Sequence, residues 1–326
     1  MLSPNTAVRP ADDLSGRFLL ENASAPLVRV DDLALVRVTG RDAVTFLHGQ
    51  FTNAVQNLGT AVRNAGYCTP KGRLLATMRL WAEGDAVMML VPKAIEPAFI
   101  KRLRMYVLRA DVTFETVTDR VMLGVPARAE VVLPELGLAV PAEGEALAAD
   151  GLTILDAEPA VEVDGFCAGG RRAFVIAPAD HPLCARAADG AAWWWASDIA
   201  AGKVTVWPRT REYFVPQAVN FELTGGVVFN KGCYPGQEVI SRVQHIGETS
   251  RRAAIGLVTG EAPLPGAPVF CGTDEVGFVM QSVERDGRTL VGFSSLRTAL
   301  TGRLSLTPEG EPIDVLALPY KVPSAA

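Results

Sequence analysis

Apolar and polar residues alternate along much of this chain, and the period of the alternation changes from segment to segment. From residue 27, LVRVDDLALVRVTG repeats every second position around an Asp-Asp turn, the pattern of half-buried strands. GRDAVTFLHGQFTNAVQNL then shifts period: Val44, Phe46, Leu47, Phe51, Val55 and Leu58 fall at near-helical spacing, with Asp42 placed as an N-cap. RNAGYCTPKGRLLATMRLW reads as strand, Pro-Lys-Gly turn, strand, and AVMMLV (86–91) as a buried strand. AIEPAFIKRLRMYVL has the spacing of an amphipathic helix, and ADVTFETV closes with a strand. This order predicts an α+β sandwich over 27–120, preceded by a polar, proline-bearing lead-in at 1–26.

A second α+β unit is predicted over 121–246. It begins near RVMLGVPA, carries an Ala/Glu/Gly-rich insertion at 141–151, and continues through the strand-like RRAFVIAP to the helical AAWWWASDIAAG. Its three adjacent tryptophans are read as packing residues. After Gly247 the segments become short strands split by Gly, Pro and Asp-Gly turns, which predicts a small β-barrel over 247–326.

Composition narrows the classes. A chain of 326 residues, 49% of them hydrophobic, suits two or three packed units. No apolar run approaches the roughly 18 residues of a membrane helix, and the N-terminus has no basic-then-apolar secretory pattern, so a cytoplasmic location is expected. Five cysteines, with no C-x-x-C spacing, argue against a disulfide framework or a preformed zinc site, and three scattered histidines add no metal spacing. The net charge of −5 argues against a broad nucleic-acid face and so against a direct nucleic-acid partner. Basic clusters at 101–104, 209–211 and 251–252 are still able to hold the negative tail of a ligand or an RNA backbone.

The chemistry concentrates in FNKGCYPGQE, residues 229–238. Upstream, GGVVF reads as a short strand; downstream, Val239, Ile240, Val243 and Ile246 mark one apolar face of a helix. The motif is therefore expected at a strand–turn–helix junction, with glycines in the turn and Gln237 and Glu238 in the first helical turn. Free amides and the positive end of the dipole there can hold an anion or a ring edge. A thiol at that place, two residues from Lys231, is expected to ionise more readily than a free one. The competing reading is that Cys233 is a small packing residue and the glycines only shape the turn. The nearest downstream histidine, His245, is three helical turns away, which weighs against a protease-like nucleophile.

KGCYPGQE resembles the K-G-C-[FY]-x-G-Q-E signature of the YgfZ family of folate-binding proteins, which is related in fold to the T-protein (aminomethyltransferase) of the glycine cleavage system. GRDAVTFLHGQFTNAVQNL, CTPKGRLLATMRLW, MYVLRADV, SDIAAG, FVPQAVNFELTGGVVFNKGCY and ALPY match in order. The resemblance implies a T-protein-like ring: two α/β sandwich subdomains plus a C-terminal small β-barrel, around a channel for tetrahydrofolate. It also implies an accessory role in iron–sulfur cluster assembly or repair, with iron–sulfur client enzymes as partners and indirect support of tRNA-modifying enzymes. On this reading Cys233 is the reactive or ligating thiol, aided by Lys231, and Gly232 and Gly236 form the motif turn. Gln217 and Asn220, in VPQAVNFE, are amides able to read a pterin edge, or else turn caps. Lys71 is assigned to folate from the hairpin tip, and Tyr234, Gln237 and Glu238 from the motif.

Three departures from the relatives bear on activity. The T-protein's catalytic aspartate follows a hairpin glycine pair; here Lys71-Gly72 is followed by RLLAT. Val175 stands near the position of its pterin-contacting glutamate, and Ala200 stands where YgfZ relatives often have glutamate. The first two changes argue against the first alternative, a folate-dependent aminomethyl or one-carbon transferase, and the third against a carboxylate pterin anchor at that place; the second alternative is a direct tRNA binder.

Overall fold

The computed structural model describes residues 16–20, 24–245 and 249–323. Most of the expected lead-in and the expected boundary at 246/247 lie outside the described residues. Two short strands come first, β1 (Arg17–Leu19) and β2 (Val28–Arg29). The first sheet then forms from β3 (Leu33–Thr39), β4 (Arg63–Cys68), β5 (Leu74–Glu83), β6 (Ala86–Pro92) and β7 (Thr113–Val117). Its order is β4-β5-β6-β3-β7, antiparallel throughout.

Both faces of this sheet are covered, which explains its unbroken apolar runs. On β6, Val87, Met89 and Val91 face one core while Ala86, Met88 and Leu90 face another. Helices α1 (Ala43–His48) and α2 (Glu96–Val107) close the first of these cores through Leu47, Phe99, Ile100 and Leu103. The helix expected through Leu58 stops at His48, with Gly49 at its end. Phe51, Val55 and Leu58 still reach the core, from an irregular segment that bridges Tyr67 on β4. Asp42 occupies the cap position without capping; its Oδ2 instead accepts from the Asp111 amide at 2.8 Å.

The second sheet comprises β8 (Arg120–Val125), β9 (Ala146–Ala149), β10 (Leu152–Val163), β11 (Cys167–Pro178) and β12 (Ala188–Asp189), together with β2. Its order is β12-β2-β8-β11-β10-β9. Along β11, Ala173, Val175 and Ala177 face α3 (Ala129–Glu135) and α4 (Pro182–Arg186), whereas Phe174 and Ile176 face α5 (Ala191–Ala200). Helix α5 shares a core with both the first and the second sheets, so all three of its tryptophans are buried.

Residues 204–240, which the sequence pattern attaches to the second unit, contribute Val204, Val206, Phe214, Phe221 and Ile240 to the core of the first sheet. They end in α6 (Gln237–His245). The C-terminal region forms a third sheet from β13 (Arg251–Thr259), β14 (Pro268–Cys271), β15 (Asp274–Arg285), β16 (Arg288–Leu296), β17 (Leu304–Ser305) and β18 (Asp314–Leu316). Part of the expected lead-in belongs to it, because β1 pairs in parallel with β15, Arg17 opposite Ser282.

Trp194 pins α5 to the second sheet. It lies 3.9 Å from the Phe174 ring centroid-to-centroid and packs over the bare backbone of Gly124. A Cβ at Gly124 would come within 2.6 Å of the indole, a rigid group with no room to retreat. Gly124→Ala is expected to destabilise the protein by about 1–3 kcal/mol in chemical denaturation, and Trp194→Phe in the same chain to recover part of that loss.

Candidate functional site

Two constellations emerge, the motif turn and a buried charge cluster. At the first, the segment preceding the motif is irregular: GGVVF forms no strand, and the Val228 amide bonds to the Thr52 carbonyl. Gln237 and Glu238 open α6 as expected, and the Gln237 amide closes the turn on the Tyr234 carbonyl at 3.2 Å. Ile246 lies outside the described residues.

The turn is pressed against the hairpin tip that carries Lys71. Gly236 has φ +83°, and a Cβ there would lie 2.5 Å from the Thr69 carbonyl oxygen and 2.7 Å from the Gly72 Cα. Gly72, at φ +72°, lies close to Val239 in turn, where a Cβ would come within 3.2 Å. Only glycine satisfies both the left-handed backbone and the approach. Two glycines nearly 165 positions apart thus let the Pro-Lys-Gly hairpin and the motif turn meet backbone to backbone.

Lys231 is held from the other side. Its Nζ donates to the carbonyls of His48 and Phe51 (2.6 Å to the latter), at the C-terminal end of α1 where helical carbonyls lack partners. The ammonium also lies 4.7 Å from the centre of the Tyr234 ring. Burial lowers its pKa to about 8, with Cys233 acting in the opposite direction. Gln237 Nε2 donates to the Lys231 carbonyl at 3.5 Å, and Gly232 and Glu238 are exposed.

Cys233 is exposed, in contrast to the other four cysteines, which are buried or half-buried. Burial pushes the thiols of Cys68, Cys167 and Cys184 up. His48 also reaches this turn, a neighbour hidden in sequence: its Nε2 lies 4.0 Å from where a Gly232 Cβ would be. Its Nδ1 accepts from the Val55 amide at 3.3 Å, so the neutral ring carries its proton on Nε2. Burial, then Lys231 and Arg63, lower its pKa. Among the described residues no three of His, Cys, Asp and Glu come together in a way that would hold a metal ion.

Gln217 and Asn220 are fully buried; the scaffold engages both ends of the Asn220 amide but only the NH2 of Gln217, whose Oε1 has no hydrogen-bond partner. Gln217 Nε2 donates to the Ile240 carbonyl at 2.8 Å, fastening α6. Asn220, in a left-handed conformation, exchanges hydrogen bonds with both backbone groups of Ala253 on β13.

The second constellation centres on Glu158. A bulge between Ala157 and Ala160 breaks the β10–β11 register at Glu158-Pro159 and re-aims the carboxylate. It accepts from Arg79 on β5 (2.7 Å), from Lys203 after α5 (2.9 Å), and from Asn64 on β4. Arg172 on β11 donates from Nη1 to Ser197 (3.1 Å) and Asp198 (3.2 Å), and its Nη2 has no hydrogen-bond partner. Burial pushes the Glu158 carboxyl up, but Arg79, Lys203 and Arg172 together hold it well below the usual carboxylate range. Lys203 is lowered to about 8 by burial and by Arg79. Arg79, Arg172 and Lys203 against Glu158 and Asp198 leave one cation in excess.

A cavity of about 50 Å³ adjoins the cluster, lined by Asn64, Arg79, Asp198 and Lys203 and walled by Phe174, Trp194, Trp195 and Phe221. None of Lys71, Gln217, Asn220, Tyr234, Gln237 or Glu238 lines it. The sequence pattern missed this cluster. Its signal was there, in charged residues and a proline set within otherwise apolar strands: ATMRLW, LDAEPAV and GGRRAFV.

No protein-family model matches the chain. The "tRNA-modifying protein YgfZ" of Cronobacter sakazakii is 27% identical over 326 residues, covering 92% of this chain and 94% of that protein. The chain is similar to the YgfZ proteins over most of its length. The YgfZ of Escherichia coli O17:K52:H18 is 29% identical over 72% of both chains, and that of Hamiltonella defensa 29% identical over 80% of this chain and 76% of the relative. The fold matches the glycine cleavage system aminomethyltransferase T from Bartonella henselae with a TM-score of 0.66 at 17% identity, covering 94% of this chain and 88% of that one. No described helix is long and apolar enough to cross a membrane.

The lysine in the YgfZ-like motif yields a pH signature. Unfolded, Lys231 keeps its proton up to an ordinary lysine pKa near 10.4; folded, only to about 8. The unfolded state therefore binds more protons between those values, and this residue's contribution to stability rises with pH across that window. Unfolding free energies of the wild type and Lys231→Met, measured from pH 7 to 10, are expected to diverge in favour of the wild type above pH 8.

Proposed function

We infer that this chain binds a reduced folate in its central cavity and acts through Cys233 as an accessory protein for iron–sulfur cluster assembly or repair, on which tRNA-modifying enzymes of the cell depend. The observation that carries the reading is the KGCYPGQE turn, with its one exposed thiol, on a chain similar to YgfZ proteins and folded like an aminomethyltransferase. The finer arrangement proposed is a ring of three units around the cavity beside Glu158.

The lining suits a folate in kind. Phe174, Trp194 and Trp195 offer walls for a flat ring, Asp198 and Asn64 offer an acceptor and an amide, and the excess cation favours an anionic ligand. At about 50 Å³ the space suits a few waters, so entry of a pterin requires lining side chains to move apart. When bound, a folate would supply a one-carbon carrier. Glu158, held ionised by three cations, is a weak base, and no carboxylate follows Lys71-Gly72. Both features speak against aminomethyl transfer.

Calorimetric titration with tetrahydrofolate is expected to give micromolar binding, roughly −8 kcal/mol, weakened at least tenfold in Asp198→Asn. The absence of heat at millimolar ligand would remove the folate half of the reading.

Thiolate is the common ligand of iron–sulfur clusters and the attacking form in thiol exchange; one cysteine needs a partner protein to complete a cluster's ligand set. Cys233→Ser changes little volume at an exposed position. It is expected to preserve folding and folate affinity and to abolish support of iron–sulfur enzyme activity in bacteria lacking their own YgfZ. Full support by Cys233→Ser at normal protein level would mean that the cysteine has no chemical role.

A further inference from the structure

The net charge of −5 conceals a local excess of the opposite sign. Helix α2 and the turn after it present Lys101, Arg102 and Arg109 without a carboxylate anywhere in residues 98–110. Arg102 shares a cleft with Arg211, a residue more than a hundred positions away. Segment 211–214 runs beside the Lys71 hairpin: the Glu212 amide bonds to the Leu74 carbonyl, the Leu74 amide to that of Phe214, and Arg73 Nη1 to that of Tyr213 at 2.6 Å. The fold therefore gathers seven cations, Lys101, Arg102, Arg104 and Arg109 from α2 and the turn after it, Lys71 and Arg73 from the hairpin tip and Arg211 from this segment, against two carboxylates of the same segments, Glu96 and Glu212.

None of the seven forms an ion pair with a carboxylate among the described residues, whereas many cations elsewhere in the molecule do. Arg102 donates to the Tyr67 hydroxyl, yet its buried Nε has no hydrogen-bond partner. Large apolar groups stand open between the charges: Met105 is 65% exposed, Tyr106 48% and Tyr213 42%. Leu108, 90% exposed, projects from the end of α2 at φ +43°, a conformation strained for leucine.

We propose that this face is an RNA-binding surface, taking an unpaired or looped strand with its phosphates on the arginines and lysines and its bases against Tyr106 and Tyr213. Unpaired guanidinium forks match phosphate oxygens, and exposed aromatic rings offer stacking platforms that an acidic protein segment does not need. Local charge rather than the net −5 governs what this face attracts, because charges farther away than about 8–10 Å are screened. The surface continues into the hairpin that touches the Cys233 turn through Gly72 and Gly236. It owes nothing to the folate cavity, so its test stands whether or not a folate binds.

The probe is a fluorescein-labelled RNA hairpin with an unpaired loop, followed by anisotropy against the full-length protein from about 50 to 300 mM salt. Wild type is expected to bind, with log affinity falling linearly in log salt. The triple variant Lys71→Glu, Lys101→Glu, Arg109→Glu is expected to bind at least thirtyfold more weakly and to flatten the salt slope by about 2, since each phosphate neutralised on a single strand carries about 0.7 of that slope. Tyr106→Ala is expected to lower affinity about tenfold with the slope unchanged. Arg186→Glu, an exposed reversal on α4, serves as the control and is expected to change neither affinity nor slope. The proposal is overturned if wild type fails to bind at the lowest salt, or if the control weakens binding as much as the triple variant. It is equally overturned if Tyr106→Ala binds like wild type and a poly-glutamate peptide of equal charge displaces the RNA, which would mark the face as an acidic-peptide site.

Discussion

The Glu158 carboxylate receives Arg79 and Asn64 from the first sheet and Lys203 from the segment after α5, while Arg172 of the second sheet donates to its backbone carbonyl at 2.7 Å. Groups from the first and second sheets thus converge on one residue. The partners around Glu158 are buried while Glu158 itself keeps 26% of its side-chain surface exposed, and breaking a buried pair on one side typically costs about 3–5 kcal/mol because a charge is left stranded. The mutual orientation of the sheets is therefore tied to a charge balance, and α5 lies between them with Trp194 against Phe174 and under Arg172. The same convergence leaves a polar pocket with aromatic walls where an apolar interface would have left none.

The motif turn follows a different rule. Steric permission holds it in place: two glycines approach closely enough to exclude side chains, and a lysine ties the turn to a helix end. One consequence is that Cys233 faces outward while Tyr234 beside it is buried, its ring under the Lys231 ammonium. Neighbouring residues of one motif thus divide into a packing half and an accessible half.

Local pattern was enough to read the strands of the first sheet, α2, α5 and α6, because each has an apolar period with a definite length. It misjudged α1, where Phe51, Val55 and Leu58 are buried by tertiary packing and only imitate a helical repeat. It read GGVVF as a strand because β-branched residues follow glycines, but the segment joins no sheet. Gln217 and Asn220 stand out in the sequence for their amides; what it does not reveal is that the carbonyls of Ile240 and Ala253 accept from them while the Gln217 Oε1 is left without a hydrogen-bond partner. The Glu158 cluster and the basic face share one cause of concealment. Their members come from segments far apart in the chain, and neither a net charge nor a residue count records which ones will meet.

The parallel pairing of β1 with β15 has a consequence for biosynthesis. Arg17 finds Ser282 only after some 265 further residues have been made, which at about 5–20 residues per second takes roughly 10–50 s. During that interval Phe18, which in the finished protein stacks on Trp195 at 5.3 Å, has nowhere to dock on its own sheet. The earliest described strand to emerge from the ribosome is thus among the last to be secured, and the nascent chain carries a sticky, unpaired segment for most of its synthesis.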